Sequence, residues 1–154
     1  MTTTASPDRI EREVFLKAPR SRVWRALTDA AQFGEWFGIR ADGPFTAGAR
    51  VRAVVTNPQY QGLAFDMLIE ELAPEHLFSW RWHPNAIDAA RDYSAEPTTL
   101  VVFRLEDAPG GTLLRVVESG FDAVPADRRL DAYRGNTQGW DYQMTAINGY
   151  VAKG

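Results

Sequence analysis

The chain has 154 residues, no cysteine, and seventeen Lys and Arg against twenty Asp and Glu, for a formal charge of -3. Folding at this length buries roughly 70% of the extended surface, so one core forms without covalent staples. The absence of cysteine excludes disulfides, thiolate metal ligands and cysteine nucleophiles, and the acidic balance argues against nucleic acid, which needs a basic surface.

The first residues, Met1 to Asp8, are polar and lack the basic-then-apolar pattern of a signal peptide, and no segment reaches the length of a membrane span. A cytoplasmic protein is expected by default, with residues 1–9 extended or disordered and 10–154 forming one domain. From Ile10 to Lys17 apolar and charged residues alternate, which predicts a strand. Ala18-Pro19 ends it, and Pro19 suits the first turn of a helix whose apolar stripe is Val23, Trp24 and Leu27. Asp29 followed by Gln32 resembles a capping box and predicts a second short helix toward Trp36-Phe37.

Five further strands are expected at Gly48 to Val55, Gly62 to Leu72, His76 to His83, Thr98 to Glu106 and Thr112 to Phe121, each bounded by turn residues. The short links Ala73-Pro74-Glu75 and Ala108-Pro109-Gly110-Gly111 imply hairpins and antiparallel pairing. The stretch from Pro84 to Pro97 is too long for a turn and reads either as a lid or as a connection. The last segment, Pro125 to Val151, carries Leu130, Tyr133, Thr137, Trp140, Met144, Ile147 and Val151 at alternating spacings of three and four, one face of a helix roughly 40 Å long.

This order, with Ala18-Pro19, Val23-Trp24, Ala26-Leu27-Thr28-Asp29, Trp36-Phe37, Pro74-Glu75, Leu77-Phe78-Ser79-Trp80, Gly110-Gly111-Thr112, Leu114 and Gly139-Trp140, resembles the START-like superfamily. More narrowly it is similar to the bacterial branch related to the C-terminal domain of the heat-shock-protein ATPase activator, within the polyketide cyclase group. The resemblance implies an α+β helix-grip fold, in which six or seven antiparallel strands curve around the C-terminal helix and leave a cavity. It also implies mixed functions, because members bind lipids, polyketides or other small molecules and a few catalyse cyclisation or hydrolysis. With about nine residues before the first strand, no separate chaperone-binding domain is expected there, and stimulation of a chaperone ATPase is not the expected role.

On the family's register, Phe65, Met67, Ile69, Phe78, Trp80, Trp82, Val101, Phe103 and Leu105 face inward, and with Trp36, Phe37, Trp140 and Met144 they wall the expected pocket. Filling a core and lining a pocket both fit such residues. Glu118 shares strand parity with Leu114 and Val116, so it is expected either at the pocket mouth in water or against an arginine or a polar ligand group. His83 stands beside aromatic residues without metal-ligand partners, and no metal or cofactor is expected. The leading expectation is a binder of a small hydrophobic molecule, a lipid, polyketide or aromatic compound. Two alternatives stand beside it: a cyclase or hydrolase using Glu118 with Tyr133 or His83, and a protein-binding module related to co-chaperones.

Overall fold

The computed structural model describes residues 8–88 and 90–153. Its elements in chain order are β1 (Arg9–Leu16), α1 (Arg20–Thr28), α2 (Ala30–Phe37), β2 (Ile39–Ala41), β3 (Arg50–Val55), β4 (Ala64–Ala73), β5 (Leu77–Trp82), β6 (Thr99–Ala108), β7 (Gly111–Ser119) and α3 (Arg129–Ala152), with 3-10 turns at Pro58–Tyr60 and Phe121–Ala123. The strands form one antiparallel sheet in the order β1-β7-β6-β5-β4-β3-β2. The fold is the α+β helix grip expected. Most of the expected extended N-terminus falls outside the described residues, and Arg9 already belongs to β1.

Asp29 caps α2 as its position suggested, with Oδ1 accepting from the backbone N–H groups of Ala31 at 3.0 Å and Gln32 at 3.1 Å. The Gln32 side chain does not reach back, because its Oε1 accepts from Arg22 at 3.0 Å instead. Gly38 ends the helix in a left-handed conformation, φ 86°, its N–H returning to the Gly34 carbonyl at 3.0 Å. The chain then enters β2, the strand missed in the sequence. Three residues are too few to display a period of two.

The ladder between β4 and β5 shifts by one residue between Ile69 and Glu71, a β-bulge of the kind that bends a strand. Alternation then sets the two faces: Met67, Ile69, Phe78, Trp80, Val101 and Phe103 point to the concave side and are fully buried. Trp80 is the hub there. The rings of Phe33, Phe37, Phe78, Trp82, Phe103 and Trp140 all lie 5.3 to 6.4 Å from it, centroid to centroid. At that spacing the rings are in contact, so aromatic side chains occupy this part of the hollow.

Helix α3 closes the concave side, tied to β1 by an ion pair between Arg12 and Asp141 at 2.6 Å. It starts at Arg129, later than the expected Pro125, because residues 125–128 form a turn with the Arg128 N–H on the Pro125 carbonyl at 3.0 Å. Leu130, expected on the buried face, is 52% exposed, because a strict three-four spacing has drifted off the 3.6-residue turn by ten residues before Trp140, and Ala132 packs inward instead. Downstream the periodic reading holds, with Trp140, Met144, Ile147 and Val151 buried.

Candidate functional site

Among the described residues, the concave side contains one buried carboxylate. Glu118 on β7 is 0% exposed and takes hydrogen bonds from four neutral side chains. Oε1 accepts from Trp140 Nε1 at 2.8 Å and Asn136 Nδ2 at 2.9 Å; Oε2 accepts from Trp82 Nε1 at 2.8 Å, Thr99 Oγ1 at 2.5 Å and Asn136 Nδ2 at 3.1 Å. The sequence reading placed this residue in water at the pocket mouth, or against an arginine or a polar ligand group; the structure buries it away from water, and its partners are neutral protein side chains and not an arginine. An unpartnered carboxylate here would cost several kcal/mol, and the indole, hydroxyl and amide donors replace water in offsetting that cost.

A carboxylate has about four lone-pair positions, and these five contacts occupy them. The three side chains considered for acid-base work are held apart by different partners. Tyr133 donates to the Arg9 carbonyl at 3.4 Å and packs edge-on against Phe121, while His83 Nε2 lies 2.9 Å from the Glu96 carbonyl.

Beyond the aromatic hub, at the open end of the grip, is a cavity of about 410 Å³. Its walls come from α3 through Gly135, Asn136, Gly139 and Gln143, from the β3–β4 hairpin through Val55, Asn57, Leu63 and Phe65, and from Phe37, Trp82, His83 and the segment Asn85 to Ile87. Among the described lining residues there is no Lys, Arg, Asp or Glu. Three large side chains at its edge, Tyr60, Ile87 and Tyr142, are 42%, 42% and 61% exposed. Trp82 and Asn136 therefore have two roles, one atom on Glu118 and the rest of the side chain on the cavity wall.

Of the residues expected to line a pocket, Phe37, Phe65 and Trp82 do so. Met67, Ile69, Phe78, Trp80, Val101 and Phe103 lie in the packed interior, as do Trp36, Trp140 and Met144, which are 3 to 6% exposed. Tyr133 is half-buried near β1. Sequence reasoning missed Thr99 and Asn136. Both carried a signal: Thr99 has the same strand parity as Val101, the cross-strand partner of Glu118, and Asn136 stands four residues before Trp140 on the buried helix face.

The segment from Pro84 to Pro97 is tied down at several of its described residues. Arg128 donates through Nε to Glu96 at 2.7 Å and through a terminal nitrogen to the Pro84 carbonyl at 2.7 Å, while Arg91 bridges Glu96 at 2.9 Å and Asp127 at 3.2 Å. The Tyr93 ring lies under both guanidiniums, 4.6 Å from Arg128 and 5.5 Å from Arg91. Burial alone would raise the Glu96 carboxyl, but the two arginines outweigh it and hold it below its ordinary value.

The model of one protein family, Activator of Hsp90 ATPase homolog 1-like protein, matches residues 17–152. The chain belongs to this family. Among solved structures, protein MLL2253 from Mesorhizobium loti is 27% identical with a TM-score of 0.74, the match covering 94% of this chain and 97% of that one. DynU16, from the dynemicin biosynthetic locus, is 23% identical with a TM-score of 0.73, covering 96% of this chain and 48% of its own. CalU16 from Micromonospora echinospora is 19% identical with a TM-score of 0.65, covering 93% and 75%. The last two show a shared fold. A search of the curated proteins finds no significant match. No helix of this family member is long and apolar enough to cross a membrane, and among the described residues no three His, Asp or Glu side chains gather as a metal site would require.

Proposed function

We propose that this protein binds a small, neutral, largely apolar molecule, an aromatic or polyketide-like compound, in the cavity at the open end of the grip. The observation that carries the reading is the cavity itself: about 410 Å³, walled by Phe37, Val55, Leu63, Phe65, Trp82 and Ile87 without a charged side chain among the described ones. Ligand sites in proteins have this size and this mixture of apolar wall with a few polar groups. Helix α3 adds a second argument. Glycine in a helix interior costs about 1 kcal/mol relative to alanine, yet Gly135 and Gly139 both stand where α3 borders the cavity. A methyl group at Gly139 would meet nothing within 4 Å, so packing against protein does not explain that glycine.

The resemblance to DynU16 is in keeping with a small-molecule role, since that protein comes from a biosynthetic locus. The test is a screen of fused-ring aromatic compounds by NMR on protein labelled at the tryptophan indoles. Of the five tryptophans Trp82 is the one on the cavity wall among the described residues. Its Nε1–H resonance is expected to shift most on binding, with Trp24 and Trp36 unmoved. Binding compounds that shift all five equally, or leave Trp82 unmoved, would place the ligand elsewhere.

A further inference from the structure

The cavity has a neighbour. Between the outer face of β3 and β4 and the segment from Pro84 to Pro97 lies a second hollow of about 850 Å³. Leu63, Phe65, Trp82, His83 and Ala86 line both hollows, and all five are half-buried. Ala86 carries only a methyl group, so beside it the two spaces lie one residue apart. Their chemistry differs. The inner wall has no charged side chain among the described residues, whereas the outer one has four arginines balanced by four carboxylates.

Two of those arginines are committed: Arg81 pairs with Glu70 at 3.1 Å, and Arg91 with Glu96 at 2.9 Å and Asp127 at 3.2 Å. The other two, Arg50 and Arg52, share the single carboxylate of Asp66 at 3.7 and 3.3 Å, with more than half of each side chain exposed. A guanidinium has five N–H donors, so the strand side of the hollow has donors to give. The facing segment has acceptors. Asp88 takes the Ala90 N–H at 3.0 Å and Asp92 the Ser94 N–H at 2.9 Å, each through Oδ1, which uses a fraction of the about four acceptor positions of a carboxylate.

We infer that the molecule held in the cavity carries a neutral polyhydroxylated head, a sugar ring or similar polyol, which passes Ala86 into the outer hollow and lies between Arg50 and Arg52 on one side and Asp88 and Asp92 on the other. This rests on the ligand-site reading above and narrows it to a chemical class, an apolar body joined to a sugar-like group. Each hydroxyl both donates and accepts, so one such head serves both walls. An anionic head would meet the arginines and be repelled by Asp88 and Asp92, and a cationic one would meet the reverse.

Four probes with one aromatic body decide it: 2-naphthol, 2-methoxynaphthalene, 2-naphthyl β-D-glucoside and 2-naphthyl phosphate. Each is titrated calorimetrically against the unmodified protein and against the double variant Arg50→Ala, Arg52→Ala, and arginine Nε–H resonances are recorded beside those of the indoles. The expected result is binding of the glucoside about tenfold tighter than of 2-methoxynaphthalene, which has the same ether oxygen without the sugar. In the double variant that gain disappears while 2-methoxynaphthalene binds as before. The Trp82 indole shifts with every probe that binds, and the Arg50 and Arg52 resonances shift with the glucoside but not with the methyl ether. Equal or weaker binding of the glucoside would overturn the head-group inference and leave the ligand site standing. Phosphate binding tighter than the glucoside would overturn it by assigning the outer hollow to anions, and a glucoside gain that survives in the double variant would place the sugar elsewhere. No binding by any probe would remove the ligand site as well. Both arginines are surface side chains, and the ranking of probes on the unmodified protein decides the matter even if the variant does not fold.

Discussion

Trp82 of β5 and Trp140 of α3 lie with ring centroids 6.1 Å apart and aim their indole N–H groups, each at 2.8 Å, at different oxygens of the same carboxylate. Sheet and helix are thus joined at Glu118 by polar bonds inside an apolar layer. Such a network is worth most when every member is satisfied, and it fixes the helix at one rotation and one height over the sheet. Thr99 and Asn136 complete it, and Asn136 carries it to the cavity wall.

Replacing Glu118 by glutamine tests how strictly the network needs an acceptor. The new amide nitrogen must face two N–H donors wherever it is placed, since Oε1 and Oε2 each accept from an indole and from Asn136. Glu118→Gln is expected to destabilise by about 3 kcal/mol, read as a lower denaturant midpoint together with a red shift of tryptophan emission. A loss under about 0.5 kcal/mol would mean that the donors find other partners at little cost.

Strand parity and helical period are local properties, and the sequence displayed them. The buried run from Trp140 to Val151 is where the helical period put it, while the inward faces of β4, β5 and β6 are those that the family resemblance implied. Two things were not legible. Whether the rings around Trp80 would leave a hole depends on how they pack; they meet it edge-on or tilted and in contact, and the cavity lies farther out beside Gly135 and Gly139. The partners of Glu118 come from β5, β6 and α3, which no window of sequence brings together.

Glu96 gives a pH-dependent prediction whose sign follows from its depressed carboxyl. A group that ionises more readily when folded stabilises the fold above its ordinary value, 4.5, and that contribution is lost as pH falls below 4.5 through the folded value. Glu96→Gln is therefore expected to cost about 2 kcal/mol at neutral pH, with the gap to the unmodified protein narrowing at about pH 3. Denaturant melts at the two pH values measure it. A gap that stays constant would assign the loss to packing and not to the pairing with Arg128 and Arg91.

Gly111 is a glycine of close approach. A Cβ there would run into the Leu16 carbonyl and the Phe15 ring, and both are fixed by the β1–β7 pairing of Leu16 with Thr112 and Phe15 with Leu113. Backbone cannot yield as a flexible side chain would, so Gly111→Ala is expected to destabilise by about 2–3 kcal/mol. A thermal melt within a degree or so of the unmodified protein's would show that the strand pair can separate at that edge.

The same substitution at Gly139 is expected to have the opposite sign. There α3 is regular and an added methyl meets nothing within 4 Å, so the loss of unfolded-chain entropy and the gain in helix propensity stabilise the protein by about 0.5–1 kcal/mol. The methyl points at no packing partner but sits on a residue that borders the cavity, so a larger side chain should trade binding for stability. Gly139→Leu is accordingly expected to fold at least as stably as the unmodified protein while weakening 2-naphthol binding about tenfold or more. Calorimetric titration beside a denaturant melt reads both quantities on one sample. Full affinity in the leucine variant would move the bound molecule away from the helix and onto the hairpin side of the cavity.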